Sequence, residues 1–176
     1  MQKEITGVES ARKTSNQLKR LWLNNKDGKK ELRMGSAQIL KTKQVNNQSI
    51  FHLGMAINVF PIFQEVCRRL GYLTKVQPEV SKNTLIERVA QTFLTPSSGN
   101  RTGSRVIQTL ENWGFIEINN SAIRLQDVLI NDQETSVWFI EALVLSNSKT
   151  KVLINAGDSI PEKLEIQILD IRNFIQ

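Results

Sequence analysis

Asn100-Arg101-Thr102-Gly103-Ser104-Arg105-Val106-Ile107-Gln108-Thr109-Leu110-Glu111-Asn112-Trp113-Gly114-Phe115-Ile116-Glu117 is the stretch whose reading decides the fold. Val106, Ile107, Leu110 and Trp113 recur at three- and four-residue spacing, which predicts a helix from about Arg101 to Trp113 with one buried side. Gly114 supplies the residue that most easily takes the left-handed conformation ending a helix. Phe115–Ile118 and Ala122–Leu125 then flank Asn119-Asn120-Ser121, a turn signal between two strands of a hairpin. On the opposite side of the helix, Arg101, Arg105, Gln108, Thr109 and Asn112 share one face. Arg bonds guanine edges, Gln and Asn bond adenine edges, and Thr contacts a thymine methyl or a phosphate, so this face carries groups that read bases in a major groove. Glu111 stands at its margin and would repel phosphate if turned inward.

Toward the N-terminus, Thr95-Pro96-Ser97-Ser98-Gly99-Asn100 has the composition of a loop. Free amides at the start of the following helix favour an anion, and Ser97, Ser98, Thr102 and Ser104 add hydroxyls there. A helix before this loop opens at Ser81 or Thr84, the latter with the capping-box form Thr84-Leu85-Ile86-Glu87. Its apolar face holds Leu85, Ile86, Val89, Ala90, Phe93 and Leu94. Leu73–Val76 reads as a short strand closed by Gln77-Pro78. Ser49 begins a dense apolar stretch that Pro61 divides into helices at about 50–59 and 61–70, the second ending at Gly71. Ile62, Phe63, Val66, Cys67 and Leu70 form the apolar side of that second helix.

From 61 to 125 the order is helix, short strand, helix, loop, helix and hairpin. This segment resembles the winged helix-turn-helix superfamily, whose third helix often ends on an aromatic residue or Leu, then Gly, then two apolar residues, here Trp113, Gly114, Phe115 and Ile116. The resemblance covers about 65 of 176 residues. It implies a mainly α fold with a small β component, a winged helix-turn-helix core with N-terminal and C-terminal extensions, and double-stranded DNA as partner. Phe51-His52-Leu53-Gly54-Met55-Ala56 followed by Phe60-Pro61-Ile62-Phe63 also resembles uncharacterised bacterial proteins found with anti-phage defence genes.

Charge is unevenly spread. The net charge of +6 divides into +7 over residues 1–48, +3 over 49–125 and −4 over 126–176. A basic front and an acidic back orient a molecule in the field of a polyanion. Three regions follow: a basic N-terminal arm or helix at 1–48, the winged unit with its preceding helix at 49–125, and a C-terminal interaction region at 126–176. Within the first, Glu9–Leu23 has helical spacing at Leu18, Leu21 and Trp22, so it is either a docked helix or a solvated arm. Lys13, Lys19 and Arg20 are its candidate phosphate contacts, and Arg124 on the hairpin is a candidate for a neighbouring phosphate or the minor groove. In the last region Asn131–Leu145 is a helix buried all round, in this chain or against another copy. Lys151–Ile154 and Lys163–Ile168 read as strands.

No P-loop, HExxH, CxxC or GxSxG pattern occurs, and with one His and one Cys a zinc site lacks ligands. His52 falls on an apolar helix and reads as a core or helix-surface residue; Cys67 falls on a buried face and reads as a small hydrophobe. The expectation is a non-enzymatic protein with no cofactor or metal. The lone cysteine, an N-terminus without an apolar leader and the lack of a membrane-length apolar run point to the cytoplasm, at the nucleoid if bacterial. The alternative function is an adaptor subunit, in which the winged unit and the 131–145 helix contact a protein partner or a second copy.

Overall fold

The computed structural model describes residues 7–24, 26, 28–93, 96–146 and 164–166. Among them lie seven helices and five short strands: α1 (Val8–Trp22), α2 (Lys30–Thr42), α3 (Ser49–Val59), α4 (Pro61–Leu73), β1 (Glu79–Ser81), α5 (Lys82–Ala90), α6 (Pro96–Asn112), β2 (Ile116–Asn119), β3 (Ala122–Leu125), β4 (Val128–Ile130), α7 (Gln133–Ser146) and β5 (Leu164–Ile166). The protein is mainly α, with a three-stranded antiparallel sheet in the order β1-β3-β2 and a second, two-stranded sheet of β4 and β5.

α3 is the centre. Ile50, Phe51, Leu53, Met55, Ala56 and Ile57 are all buried, so this helix has no wet face to speak of. Pro61 then starts α4 with its ring in the first turn, where no intrahelical N–H is needed, and the chain bends by 109° between the two helices. α7 and α2 pack on α3. Trp138 of α7 donates from Nε1 to the Leu32 carbonyl at 2.8 Å, and its ring lies against Phe51 at 4.8 Å between centroids. Gly54 and Gly35 cradle that ring: a Cβ on Gly54 would stand 2.7 Å from the Trp138 six-membered ring. Asn58 stitches α3 to α7 by donating to Ala142 O at 2.7 Å. α7 itself begins on Asp132, whose side chain accepts from the Thr135 N–H at 2.9 Å. Its Thr135, Ser136, Trp138, Phe139, Ala142 and Leu143 are buried in this chain, while Val137, Glu141 and Leu145 are exposed. The helix expected to be buried all round therefore keeps one outward side.

The structure corrects two sequence expectations and decides two others between their stated alternatives. The strand expected at Leu73–Val76 is not one: Leu73 completes α4 through Gly71, and Val76 is 80% exposed in the turn that follows. A strand needs a partner, and it is Val80, opposite Ile123, that finds one, both being fully buried. The second correction is at Pro96–Asn100, expected to be loop, which forms the first part of α6. Proline is accommodated at a helix start, and Gly99 lets α6 lie so close to α5 that a Cβ there would stand 3.2 Å from the Ala90 backbone. Thirdly, α5 starts at Lys82, so Ser81 holds the cap position and Thr84 lies inside the helix. Finally, the basic N-terminal segment is no solvated arm over its described part. It forms α1 and α2, which bury Leu21, Leu32, Ser36 and Ile39. The buried Arg33 holds the two helices together by donating from Nε to Leu21 O at 2.9 Å. The strand expected at Lys151–Ile154 lies outside the described residues, whereas β5 falls within the strand expected at 163–168. Among the described residues no single helix is long and apolar enough to cross a membrane.

Candidate nucleic-acid interface

α6 is held from behind and left open in front. Val106, Ile107 and Leu110 are buried against α4 and α5. Gly103 lets α5 approach, with Val89 Cγ1 3.7 Å from where its Cβ would be. The C-terminal end is closed by Gly114 at φ 79°, with Phe115 N–H donating to Leu110 O at 3.0 Å and Gly114 N–H to Glu111 O at 2.9 Å. These two bonds are a Schellman cap, and the buried Phe115 beside Leu110 is its apolar contact. The chain enters β2 directly from this cap, and the β2–β3 turn has Asn120 and Ser121 at φ 48° and 67°, the primed-turn geometry that suits a tight hairpin.

The front of α6 carries the residues singled out from sequence. Arg101, Thr102, Arg105, Gln108 and Asn112 are exposed; Ser104 and Thr109 are half-buried. Ser104 Oγ donates back to Asn100 O at 2.9 Å and Thr109 Oγ1 to Arg105 O at 2.8 Å, so both hydroxyl protons are spent on the helix itself. Gln108 Nε2 donates to Glu111 Oε2 at 2.6 Å, which fixes Glu111 beside the arginine and amide face instead of away from it. Because α6 begins at Pro96, Thr102 and Ser104 sit beyond its first turn and not on its free amides. The Ser98 side chain lies outside the described side chains.

α1 forms a second wall. A cleft of about 810 Å³ separates it from α6, with Lys13, Thr14 and Gln17 on one side and Arg101, Arg105 and Gln108 on the other. Glu9, at the same end of α1, accepts from Arg12 at 2.9 Å and pairs with Lys13 at 3.4 Å. The Arg12 guanidinium holds the Glu9 carboxyl below its usual range. The other two N-terminal cations expected as phosphate contacts, Lys19 and Arg20, are elsewhere. Lys19 borders a separate, mostly apolar groove beside Leu18, Trp22, Leu23 and His52, and Arg20 lies over the Phe60 ring at 5.2 Å. Arg124 is engaged by Glu79 across the β1–β3 pair, with Glu117 opposite it on β2. Of the expected contacts, then, the structure gathers Lys13 with the α6 face and sets Lys19, Arg20 and Arg124 apart from it.

His52 links the two walls. Its ring meets Trp22 of α1 edge-on at 5.3 Å and stacks on Trp113, just past α6, at 5.7 Å; Trp113 in turn stacks on Phe63 at 5.6 Å. Burial lowers the imidazole pKa below its ordinary 6.5. Behind the α5–α6 connection, the buried Glu65 takes hydrogen bonds from Arg68 at 2.8 Å, Arg69 at 2.7 Å and Thr92 at 2.8 Å. Burial pushes that carboxyl up, but the bonds from both arginines and Thr92 outweigh it and hold it below the ordinary value. Cys67 is fully enclosed and its thiol is pushed up to about 12.

Thr14, Gln17 and the His52 bridge were not legible as site features. Thr14 and Gln17 are common polar residues whose meaning comes only from facing α6, and His52 is one aromatic among several on an apolar helix. No protein-family model matches the chain, and no curated protein or solved structure matches it either.

Proposed function

We propose that the protein binds double-stranded DNA through a winged helix-turn-helix formed by α4 to β3, with α6 as the helix that enters the major groove and the β2–β3 hairpin as its wing. The observation that carries this reading is the open face of α6: two arginines, a glutamine and an asparagine at helical spacing, exposed on a helix whose other side is fully buried. The element order α4-β1-α5-α6-β2-β3 and the strand order β1-β3-β2 support the same reading, since they put the hairpin directly after the reading helix. Arg105, Gln108 and Asn112 are the candidate base contacts, while Arg101 and Lys13 act on phosphates. The resemblance of Phe51–Ala56 and Phe60–Phe63 to proteins found with anti-phage defence genes is the support for placing this activity in such a system. No catalytic role is assigned to any residue.

The test is fluorescence anisotropy with a mixed-sequence duplex at several salt concentrations. Wild-type protein is expected to bind with a steep salt dependence, because phosphate contacts release counterions. Arg101→Ala with Arg105→Ala is expected to weaken binding at least tenfold, with roughly two units lost from the slope of log affinity against log salt and the circular-dichroism spectrum unchanged. Wild-type protein that binds no duplex even at low salt would end the reading.

A further inference from the structure

We infer that α1 and α6 are two jaws around a single sugar–phosphate strand of the duplex, with α1 lying outside the strand that borders the groove α6 enters. This rests on α6 being the groove-reading helix, and it adds the position of the DNA backbone.

The two helices face each other without closing. Trp22 and Trp113, at or just past their C-terminal ends, are bridged by His52, and the cleft of about 810 Å³ opens along Lys13 and Gln17 on α1 and Arg101 and Arg105 on α6. The C-terminal end of α1 is held in place by the buried Leu21 and by Arg33 on its last carbonyls, so the exposed wall of α1 extends from an anchored end. Both walls are polar, and their charges are positive except Glu9. Arg12 and Lys13 share that one carboxylate, which leaves this turn of α1 with a surplus positive charge.

The lining chemistry selects the occupant. Sites that grip single strands stack bases on aromatic side chains, and among the described residues no aromatic or aliphatic side chain lines this cleft. Lys13, Gln17 and Arg101 suit a phosphodiester backbone, which leaves Arg105 and Gln108 for the base edges beyond it. Geometry then places that backbone. A major groove about 12 Å wide admits one helix, whose diameter with side chains is about 10–12 Å. With α6 in the groove, α1 has to pass outside the bordering strand, and the strand occupies the space between them. Lys13 and Arg101 then approach the same strand from opposite sides.

Adding a cation to the α1 wall tests this without disturbing the core. Gln17→Lys places a charge in the cleft. Ser15→Lys places the same charge on the other side of α1, beside Trp22 and His52. With a mixed-sequence duplex, Gln17→Lys is expected to tighten binding roughly fivefold near 0.1 M salt and to steepen the salt slope by about one unit. Ser15→Lys is expected to change binding less than twofold. Glu9→Gln, which releases Lys13, is expected to tighten binding in the same direction as Gln17→Lys. Equal gains from Gln17→Lys and Ser15→Lys, or no gain from either, overturn the two-jaw arrangement, even where loss of binding in the Arg101→Ala and Arg105→Ala variant upholds α6 as the reading helix. Wild-type protein that prefers a single-stranded oligonucleotide to the duplex overturns it as well. Wild-type protein that binds no nucleic acid overturns both readings.

Discussion

α6 and α7 are helices of similar length, Pro96–Asn112 and Gln133–Ser146, yet they divide their surfaces in opposite ways. α7 spends Trp138, Phe139, Ala142 and Leu143 on the core built around α3, and what it shows to solvent is one mixed side with no cation: Gln133, Glu134, Val137, Glu141 and Leu145. α6 spends Val106, Ile107 and Leu110 on the core and keeps an ordered row of arginine and amide side chains outside. An apolar helix of this kind informs on stability and a one-sided helix informs on partners, because only groups left over from folding are free to bind something else. The same contrast bears on the adaptor alternative: the helix that would have supplied its apolar docking surface has most of that surface inside its own chain.

The comparison implies that α7 can be damaged without touching recognition. Trp138→Ala removes a 3%-exposed ring, its bond to Leu32 O and its contact with Phe51, and is expected to cost about 4 kcal/mol of stability. Duplex affinity of the folded protein should be unchanged. Urea unfolding and anisotropy, measured on the same sample, check both halves, and a large loss of affinity in protein still folded would break the division.

A smaller effect is expected where α4 meets the end of α5. Glu65→Ala deletes the carboxylate shared by Arg68, Arg69 and Thr92 and is expected to cost about 2 kcal/mol, less than a fully buried pair because both arginines keep some contact with water. The wild-type contribution also has a direction in pH. The folded carboxyl sits below its ordinary 4.5, so its stabilisation is complete above that pH and is lost as pH falls through the lowered value. Chemical unfolding at pH 7 and at pH 4 should show the variant and the wild type drawing together at the lower pH.

On the α6 face itself, Asn112→Ala should leave stability alone and cost about 1 kcal/mol of binding on the preferred sequence, with little change on others. Anisotropy on a selected and a scrambled duplex measures the difference. A uniform loss on both would move Asn112 from base reading to phosphate contact.

The smallest effect concerns the bridge between α1 and α6. His52 is the one histidine in the chain, and burial between Trp22 and Trp113 depresses its pKa below 6.5. A base whose folded pKa is lowered contributes stability that is complete above pH 6.5 and declines as pH falls through the folded value. The melting temperature is expected to drop slightly between pH 7 and pH 5 in the wild type and to drop less in His52→Gln. Parallel curves would show that the bridge does not feel the proton.

Much of this was legible in the residues. The spacing of Val106, Ile107, Leu110 and Trp113, the stop at Gly114 and the turn at Asn120-Ser121 are local signals, and they produced a helix and a hairpin close to those observed. Local signals failed where a distant partner decided. Leu73–Val76 and Glu79–Ser81 are both strand-like, and only the second meets β3. Pro96–Asn100 looks like a loop until α5 is present to pack against Gly99. α2 was hidden because its apolar residues are interleaved with Lys30, Glu31, Arg33 and Lys41, and one of those charges, Arg33, is buried on carbonyls of α1.

By itself the sequence determined the helical centre, the one-sided chemistry of α6 and the uneven charge of the chain, since periodicity and composition are properties of neighbours along the backbone. Only the tertiary structure decided that Lys13 and Gln17 stand across a cleft from Arg101 and Arg105, that Lys19 and Arg20 do not, and that His52 joins the two walls. Those facts depend on how α1 is docked. The docking is set by Leu21, Trp22 and Arg33 meeting groups that lie far along the chain or on another helix, a relation that no window of sequence contains.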